Sequence, residues 1–492
     1  MKKMLFPALL LSAVGASAKG PFDDQGAAPA NPQAAGTVWG QFHRNAYAQA
    51  STPLRGPEAG DTIEVQRIKI PGRGGTPTQM HISEVYPDGS YTAWSTNLTH
   101  IIKARVKGAQ FELADAYQIT KRVTDFNLHW NMTLAKGNKA FVPSPNTRSI
   151  LKFGEADPSD PGSKLVLENS FVLPKEIKGK ATVLNLSFDG WVIFVTDEAW
   201  IGAVKQDFST YRAFDLGRAT NDITTHNSFP VDENGNIFIA SLYAMTKVRW
   251  TGDGFQLIWR APYNFRGIGC PPPSSNQMRE VMKAITGKPC TGSGTTPTLV
   301  GRAGMDELVV AVDSHRKNNL VAFWRNEIPA GWKGLPGQDP RVAGILQLPY
   351  STWEGDGFTA ENSPPAAGYD IAVAQYVGFF KTACDAPRGV QMARWNAVAN
   401  KLELLWANGR IPFNNVVTIS YGSDLLYGSG RDPDCNFVYR GLDRQTGEER
   451  FAKRLGDSND FLDGGNSNSV LPDRSVIYGI VDGMIRIRPV ER

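Results

Sequence analysis

Asp222 is followed four residues later by His226, then by Asn227 and Ser228. The same spacing returns where Asp463 precedes Ser467, Asn468 and Ser469, and where Asp125 precedes His129, Trp130 and Asn131. Other copies keep the positions and change the residues. Glu361, Asn362 and Ser363 follow Asp356 and Gly357, Asn414 and Asn415 follow Arg410, and Thr295 and Thr296 follow Thr291. A carboxylate, an imidazole and amides brought to one place could do acid–base work on a polar organic substrate. Glu361, His226 and Asp356 are the candidates for that chemistry. His129, Asn227, Thr295, Asn362, Arg410, Asn414, Asn468 and Arg431 are the candidates for holding the ligand.

Each of these residues also has a structural reading. Asp readily accepts from nearby backbone, so Asp222 and Asp463 suit loop caps. Arg410 falls between Asp356 and Asp463 in chain order and could brace neighbouring units by ion pairs. His129, His226 and Glu361 are ligand types that suit a transition metal. They sit in alternate repeats, too far round a ring to share one ion, so no metal site is assigned. The chain contains no Gly-x-Ser-x-Gly elbow, no phosphate-binding glycine loop and no His-Glu-x-x-His sequence.

The elements that must position these residues are strands. Each copy precedes an alternating apolar stretch that ends in a turn, often Asp-Gly or Asn-Gly, as at Asp189-Gly190 and Asn234-Gly235. Starts recur at intervals of roughly 44–69 residues, which suits four-stranded propeller blades. Eight such repeats are legible, and seven is the alternative if the weak third one is irregular. The eighth runs out after Met484–Val490, while Thr62–Ile70 alternates with no blade of its own. Pairing the two would close the ring and remove its exposed edges. The expected fold is therefore all-β, an eight-bladed β-propeller of four-stranded antiparallel blades closed by an N-terminal strand. The repeated motif then circles one mouth of the axial channel.

Composition agrees with an exported globular chain. Lys2 and Lys3, the apolar run Met4–Val14 and Ala16-Ser17-Ala18 read as a signal peptide over residues 1–18. Residues 19–36, rich in Ala, Pro, Gly and Gln, read as a flexible leader, and 37–492 as one propeller domain. No later apolar run is long enough to span a bilayer. A net charge of +4 spread over 492 residues gives no basic face, which argues against a nucleic-acid partner. The expected location is periplasmic or secreted, where four cysteines would pair. Cys270 and Cys290 bracket an insertion at about 264–293, and Cys384 and Cys435 fall in matching loops of successive repeats. The preferred pairs are Cys270–Cys290 and Cys384–Cys435.

Gly441, Asp443, Thr446, Gly447 and Phe451 stand in the spacing of a known motif. They resemble the tryptophan-docking motif of the quinoprotein alcohol dehydrogenase-like propellers, the PQQ-repeat superfamily. Gly441 and Phe451 replace the Ala and Trp of that motif, and Trp250–Trp259 and Trp395–Trp406 are related endings. The resemblance spans roughly residues 37–492 and implies the eight-bladed fold. It also implies a cofactor to test for, pyrroloquinoline quinone (PQQ) with calcium. The superfamily's dehydrogenases face that quinone with two adjacent cysteines, and no two cysteines are adjacent here. Glu361, Asn362 and Asp356 match its calcium and catalytic set by residue type alone. No Cys-x-x-Cys-His haem sequence is present. The functional expectation is an exported propeller that binds a polar small molecule or saccharide in the axial funnel, with its transformation left open. A PQQ-dependent oxidoreductase and a non-enzymatic cell-envelope scaffold are the alternatives.

Overall fold

A computed structural model describes residues 26–36, 38–71, 75–121, 131–220, 227–241, 244–263, 293, 295–313, 317–352, 363–375, 388–413, 415–463 and 467–490. Within them the strands form eight separate sheets arranged in chain order, the blades of a propeller. Blade 3, the weakest repeat in the sequence, is a regular four-stranded antiparallel sheet of Ala181–Leu186, Trp191–Thr196, Trp200–Lys205 and Tyr211–Asp215. The seven-bladed alternative is therefore excluded.

Burial explains the sequence of each strand. In blade 3 the inner strand Ala181–Leu186 is buried throughout, because neighbouring blades cover both of its faces. It consequently reads as a continuous apolar run with a few small polar residues. The outer strand Tyr211–Asp215 is only partly covered and carries Arg212 and Asp215.

Closure takes the form the two chain ends suggest. Thr62–Lys69 pairs antiparallel with Gly483–Val490, from Thr62 opposite Val490 to Lys69 opposite Gly483. It is the outermost strand of blade 8, whose inner strands are Ser469–Val470 and Val476–Ile480.

The tryptophan-docking contact is present between blades 6 and 7. The Trp406 indole donates to the Arg444 carbonyl at 2.8 Å. A Cβ added at Gly447 would lie 2.4 Å from the Trp406 ring, and Gly447 has φ +72°. Only glycine satisfies both the turn and the close approach of the indole. Asp443 tightens the same turn by accepting from the Gln445 and Thr446 amides, each at 2.9 Å.

Residues 26–36 belong to the stretch whose composition suggested a flexible leader, yet they are packed against blades. Asn31 Nδ2 donates to the Leu186 carbonyl of blade 3 at 3.1 Å, and the Ala35 amide donates to Leu134 of blade 2 at 3.0 Å. From there the chain runs on as a strap through the centre of the ring. Inner-strand amides of Ile82, Val231, Leu299, Ala366 and Ile419 donate in turn to the carbonyls of Trp39, Ala46, Tyr47, Gln49 and Ala50. The strap finishes as a short fifth strand on blade 7, where Ser51–Thr52 lies parallel to Thr418–Ser420. Trp39, Ala46, Tyr47 and Gln49 are fully buried.

The strap holds a costly backbone. His43, Arg44, Ala48 and Ala50 have φ of 52°, 80°, 55° and 43°. Left-handed conformations cost about 1–2 kcal/mol each for residues with a Cβ. They persist because hydrogen bonds from six blades fix the path.

Candidate functional site

The mouth at which the inner strands begin is here called the upper mouth, and the one at which they end the lower. The strap bonds within the inner strands, at the first residue of Ala366–Ala367 and the middle residues of Thr298–Val300 and Thr418–Ser420. Three residues upstream of the strap-bonded positions stand Gln79, Asn131, Ser228, Thr296, Ser363 and Val416. Five of these six are polar, and this is the level of the repeated motif.

Many polar residues at this level latch one blade to the next. Asn131 Nδ2 donates to the Thr182 carbonyl at 3.4 Å, joining blades 2 and 3. The Thr296 amide donates to Ser363 Oγ at 2.9 Å between blades 5 and 6. Asn415 Nδ2 donates to Asn468 Oδ1 at 3.0 Å between blades 7 and 8. Ser429 Oγ donates to Asp463. The structural reading therefore accounts for Asp463, Asn415 and the Oδ1 of Asn468.

One sector is different. His43 of the strap places Nδ1 2.7 Å from Ser467 Oγ of blade 8. Burial lowers the His43 pKa to about 3, with the nearby His81 of blade 1 adding to the shift. His81 is also wholly buried, and desolvation lowers its pKa to about 4 against an opposing hydrogen bond to the Gly40 backbone. Blades 1, 2 and 8 also carry buried polar atoms with no hydrogen-bond partner among their inner-strand segments. They are both amide atoms of Gln79, Nε2 of His81, Oγ1 of Thr133 and Nδ2 of Asn468. Thr296 Oγ1, on the far side of the axis in blade 5, is likewise unpartnered. An unsatisfied buried polar group costs about 1–3 kcal/mol, so each of these atoms is available to a hydrogen-bonding partner.

The residues expected from the sequence distribute as follows. His129, His226, Asp356, Glu361, Asn362 and Asn414 lie outside the described residues, as do Cys270, Cys290 and Cys384. Cys435 is disulfide-bonded, and its expected partner is among the residues not described. Thr295 is fully buried and serves its own blade, accepting from the Val312 amide at 3.2 Å. Asn227 is half-buried. Arg410 is exposed and makes no ion pair with a described residue, so the expected brace to Asp463 does not form. Arg431 is buried, donates to Asn459 Oδ1 and stacks 4.5 Å from the Phe437 ring centroid. Among the described candidates, Asn468 Nδ2 and Arg431 Nε are buried without a partner.

His43, His81 and Gln79 were missed. The sequence did hold a signal for the strap. Residues 38–52 contain Trp39, Phe42, His43 and Tyr47 with Arg44 as their one charge, a composition that needs burial.

A second hollow opens at the lower mouth beneath blades 3 to 5, with a volume of about 790 Å³. Its walls include Glu233, Lys247, Arg249, Trp250 and Asn326. Tyr47 of the strap donates to Glu233 Oε2 at 2.7 Å, which ties the strap to one of these wall residues. Desolvation lowers the Lys247 pKa to about 8, while its amine donates to Asn326 Oδ1 at 2.7 Å. Among the described residues no helix is long and apolar enough to cross a membrane. Nor does any described group of three or more His, Cys, Asp or Glu come together to hold a metal.

No family model matches the chain. It is 27% identical over 476 residues to an uncharacterized protein of Archaeoglobus fulgidus, covering 92% of this chain and 87% of that one. Its fold is similar to the quinohemoprotein alcohol dehydrogenase of Comamonas testosteroni, with a TM-score of 0.56. That likeness covers 94% of this chain and 82% of the other at 10% identity. It is also similar to Sqt1 of Saccharomyces cerevisiae, with a TM-score of 0.52 and 10% identity over 89% of this chain and all of that one. These likenesses establish the propeller fold.

The residues the sequence offers for the quinone's calcium, Glu361, Asn362 and Asp356, lie outside those described. The chain has no adjacent cysteine pair. Calcium requires several oxygen ligands, commonly carboxylates. The unpartnered axial groups are instead amides, a hydroxyl and a neutral imidazole.

Proposed function

We propose that this protein is an exported propeller that binds a polar small molecule or saccharide at the axis, above the strap. One observation carries the reading: the unpartnered buried polar atoms of Gln79, His81, Thr133 and Asn468 on the inner-strand segments of blades 1, 2 and 8. Blade-to-blade latching satisfies Asn131 and Asn415 at the same level and leaves these atoms, with Thr296 Oγ1 of blade 5, unused. Glu361, His226 and Asp356 belong by sequence to the connections leading into the inner strands, where they would act on a bound molecule. Glu361→Gln removes a charge and keeps the shape, so it should impair ligand handling while leaving the melting temperature unchanged. Loss of stability with binding intact would make the ring purely structural.

Export rests on the N-terminal sequence and is tested by fractionating cells that express the full chain. The quinone-dependent reading draws its support from the fold shared with the Comamonas enzyme. Reconstitution with PQQ and calcium, followed by dye reduction, tests it directly, and the missing cysteine pair leads us to expect none. A scaffold role would need no convergent buried polar groups, which favours the ligand-binding reading over it.

A further inference from the structure

The hollow at the lower mouth has a volume of about 790 Å³, within the roughly 300–1,000 Å³ usual for small-molecule sites. Five ionisable side chains stand on its wall: Asp189, Glu233, Lys247, Arg249 and Glu327. Asp189 is already spent, since its two oxygens accept from the Trp250 indole at 3.2 and 2.9 Å. The other four keep capacity for a ligand. Lys247 and Arg249 lie two residues apart on the strand Ala244–Trp250, so their side chains leave the same face of it. Lys247 donates to Asn326 Oδ1 at 2.7 Å and to the Arg325 carbonyl at 3.2 Å, two of its three hydrogens. Arg249 is exposed and donates through Nε to Asn236 Oδ1 at 3.1 Å, and no described residue takes its two terminal nitrogens. Glu233 spends Oε2 on the Tyr47 hydroxyl, while Glu327 is exposed and bonds to no described side chain. Among the described residues neither glutamate forms an ion pair with Lys247 or Arg249. Two cations and two anions therefore share one hollow without pairing. Ile258, 41% exposed, and the half-buried Phe188 give the same wall an apolar part.

We propose that this hollow binds a zwitterion with an apolar side chain, the chemistry that free amino acids and short peptides share. Its carboxylate lies against Arg249 and Lys247, and its ammonium against Glu327 and Glu233. A guanidinium with its terminal N–H groups unused matches a carboxylate in a fork. Desolvation is the main cause that lowers the Lys247 pKa. Of the charges near it, Arg249, Arg325 and Arg341 disfavour its proton and Asp232 alone favours it, so the potential there draws an anion. A purely anionic ligand would also face Glu233 and Glu327, and a purely cationic one would face Arg249 and Lys247. A neutral sugar would answer none of the four charges. The hollow shares no residue with the axial site, so the two readings stand or fall separately.

The test is calorimetric titration of the full-length protein with leucine, trileucine, and the N-acetylated and C-amidated forms of each. Leucine or trileucine should bind, and the tighter of the two identifies a free amino acid or a peptide as the ligand. Blocking either terminus should weaken binding by about tenfold or more, the scale of one hydrogen bond to a charged group. Arg249→Gln should erase the preference for a free carboxylate and keep that for a free ammonium, and Glu327→Gln should do the reverse. Both side chains are exposed, so neither change should shift the melting temperature, and a merely structural role would not split the two preferences. Equal binding of blocked and free forms would overturn the zwitterion assignment. Unaltered preferences in both variants would overturn the placement. Failure of every compound to bind would overturn the proposal and leave the axial reading untouched.

Discussion

His43 and Ser467 stand 424 residues apart in the chain and 2.7 Å apart in the structure, where a strap imidazole meets a hydroxyl of the last blade. The contact ties the start of the propeller to its end at the axis, as the Thr62–Lys69 strand ties them at the rim. Ser467→Ala removes the hydroxyl from a buried imidazole and should lower unfolding stability by about 1–3 kcal/mol. A double-mutant cycle with His43→Phe, read by urea denaturation, isolates the pair. A coupling energy near zero would show that the strap is held by its backbone bonds alone.

Both buried imidazoles are neutral in the fold, with pKa values lowered to about 3 for His43 and about 4 for His81. The unfolded chain binds these protons near the ordinary value of about 6.5, so it holds more of them than the fold does below that pH. Stability is therefore complete above about pH 6.5 and falls as pH drops toward 4, by up to about 1.4 kcal/mol per pH unit for each histidine. Urea midpoints at pH 7 and pH 5 should diverge in the parent and converge in the His43→Gln/His81→Gln variant. Equal divergence in both would assign the acid sensitivity to other groups.

Lys103 and Glu155 form an ion pair at 2.7 Å between blades 1 and 2, with both side chains almost fully buried. Tyr86 also donates to the same Glu155 oxygen at 2.6 Å. Glu155→Gln leaves the ammonium without its counter-charge and should cost about 3–5 kcal/mol. The paired change Lys103→Met/Glu155→Leu should recover much of that loss. Chemical denaturation of the three variants checks both statements.

Trp406→Ala should lower stability by about 3–5 kcal/mol, because it empties the contact between blades 6 and 7. Gly447→Ala should also destabilise, since its Cβ would meet the indole at 2.4 Å and its φ is +72°. Neither change touches the axis, so ligand binding per folded molecule should be unaltered. Calorimetric melting alongside titration of folded protein distinguishes these effects.

Non-reducing peptide mapping should recover Cys435 linked to Cys384. By sequence the two fall in matching loops of successive repeats, which is the ground for the expectation. A Cys435 peptide joined to Cys270 or Cys290 would show that the loop correspondence between blades 6 and 7 is wrong.

The sequence alone determined the ring. Strand periodicity, Asp-Gly turns and the spacing of Trp406, Asp443 and Gly447 are local signals, and a blade is built from local hairpins. Even the closure was legible, because Thr62–Lys69 alternates without partners and the last blade lacks its outer strand. The site was legible only as a level in the ring. Which polar residues at that level are spent on latches, as Asn131 and Asn415 are, depends on neighbours a whole blade away. The strap was hidden for the same reason. Its backbone donors and acceptors are satisfied by six different blades, and no local pattern in residues 26–52 records such scattered partners. Tertiary structure alone decided that His43 lies buried beside Ser467 and His81, and that Gln79 was left with nothing to bind.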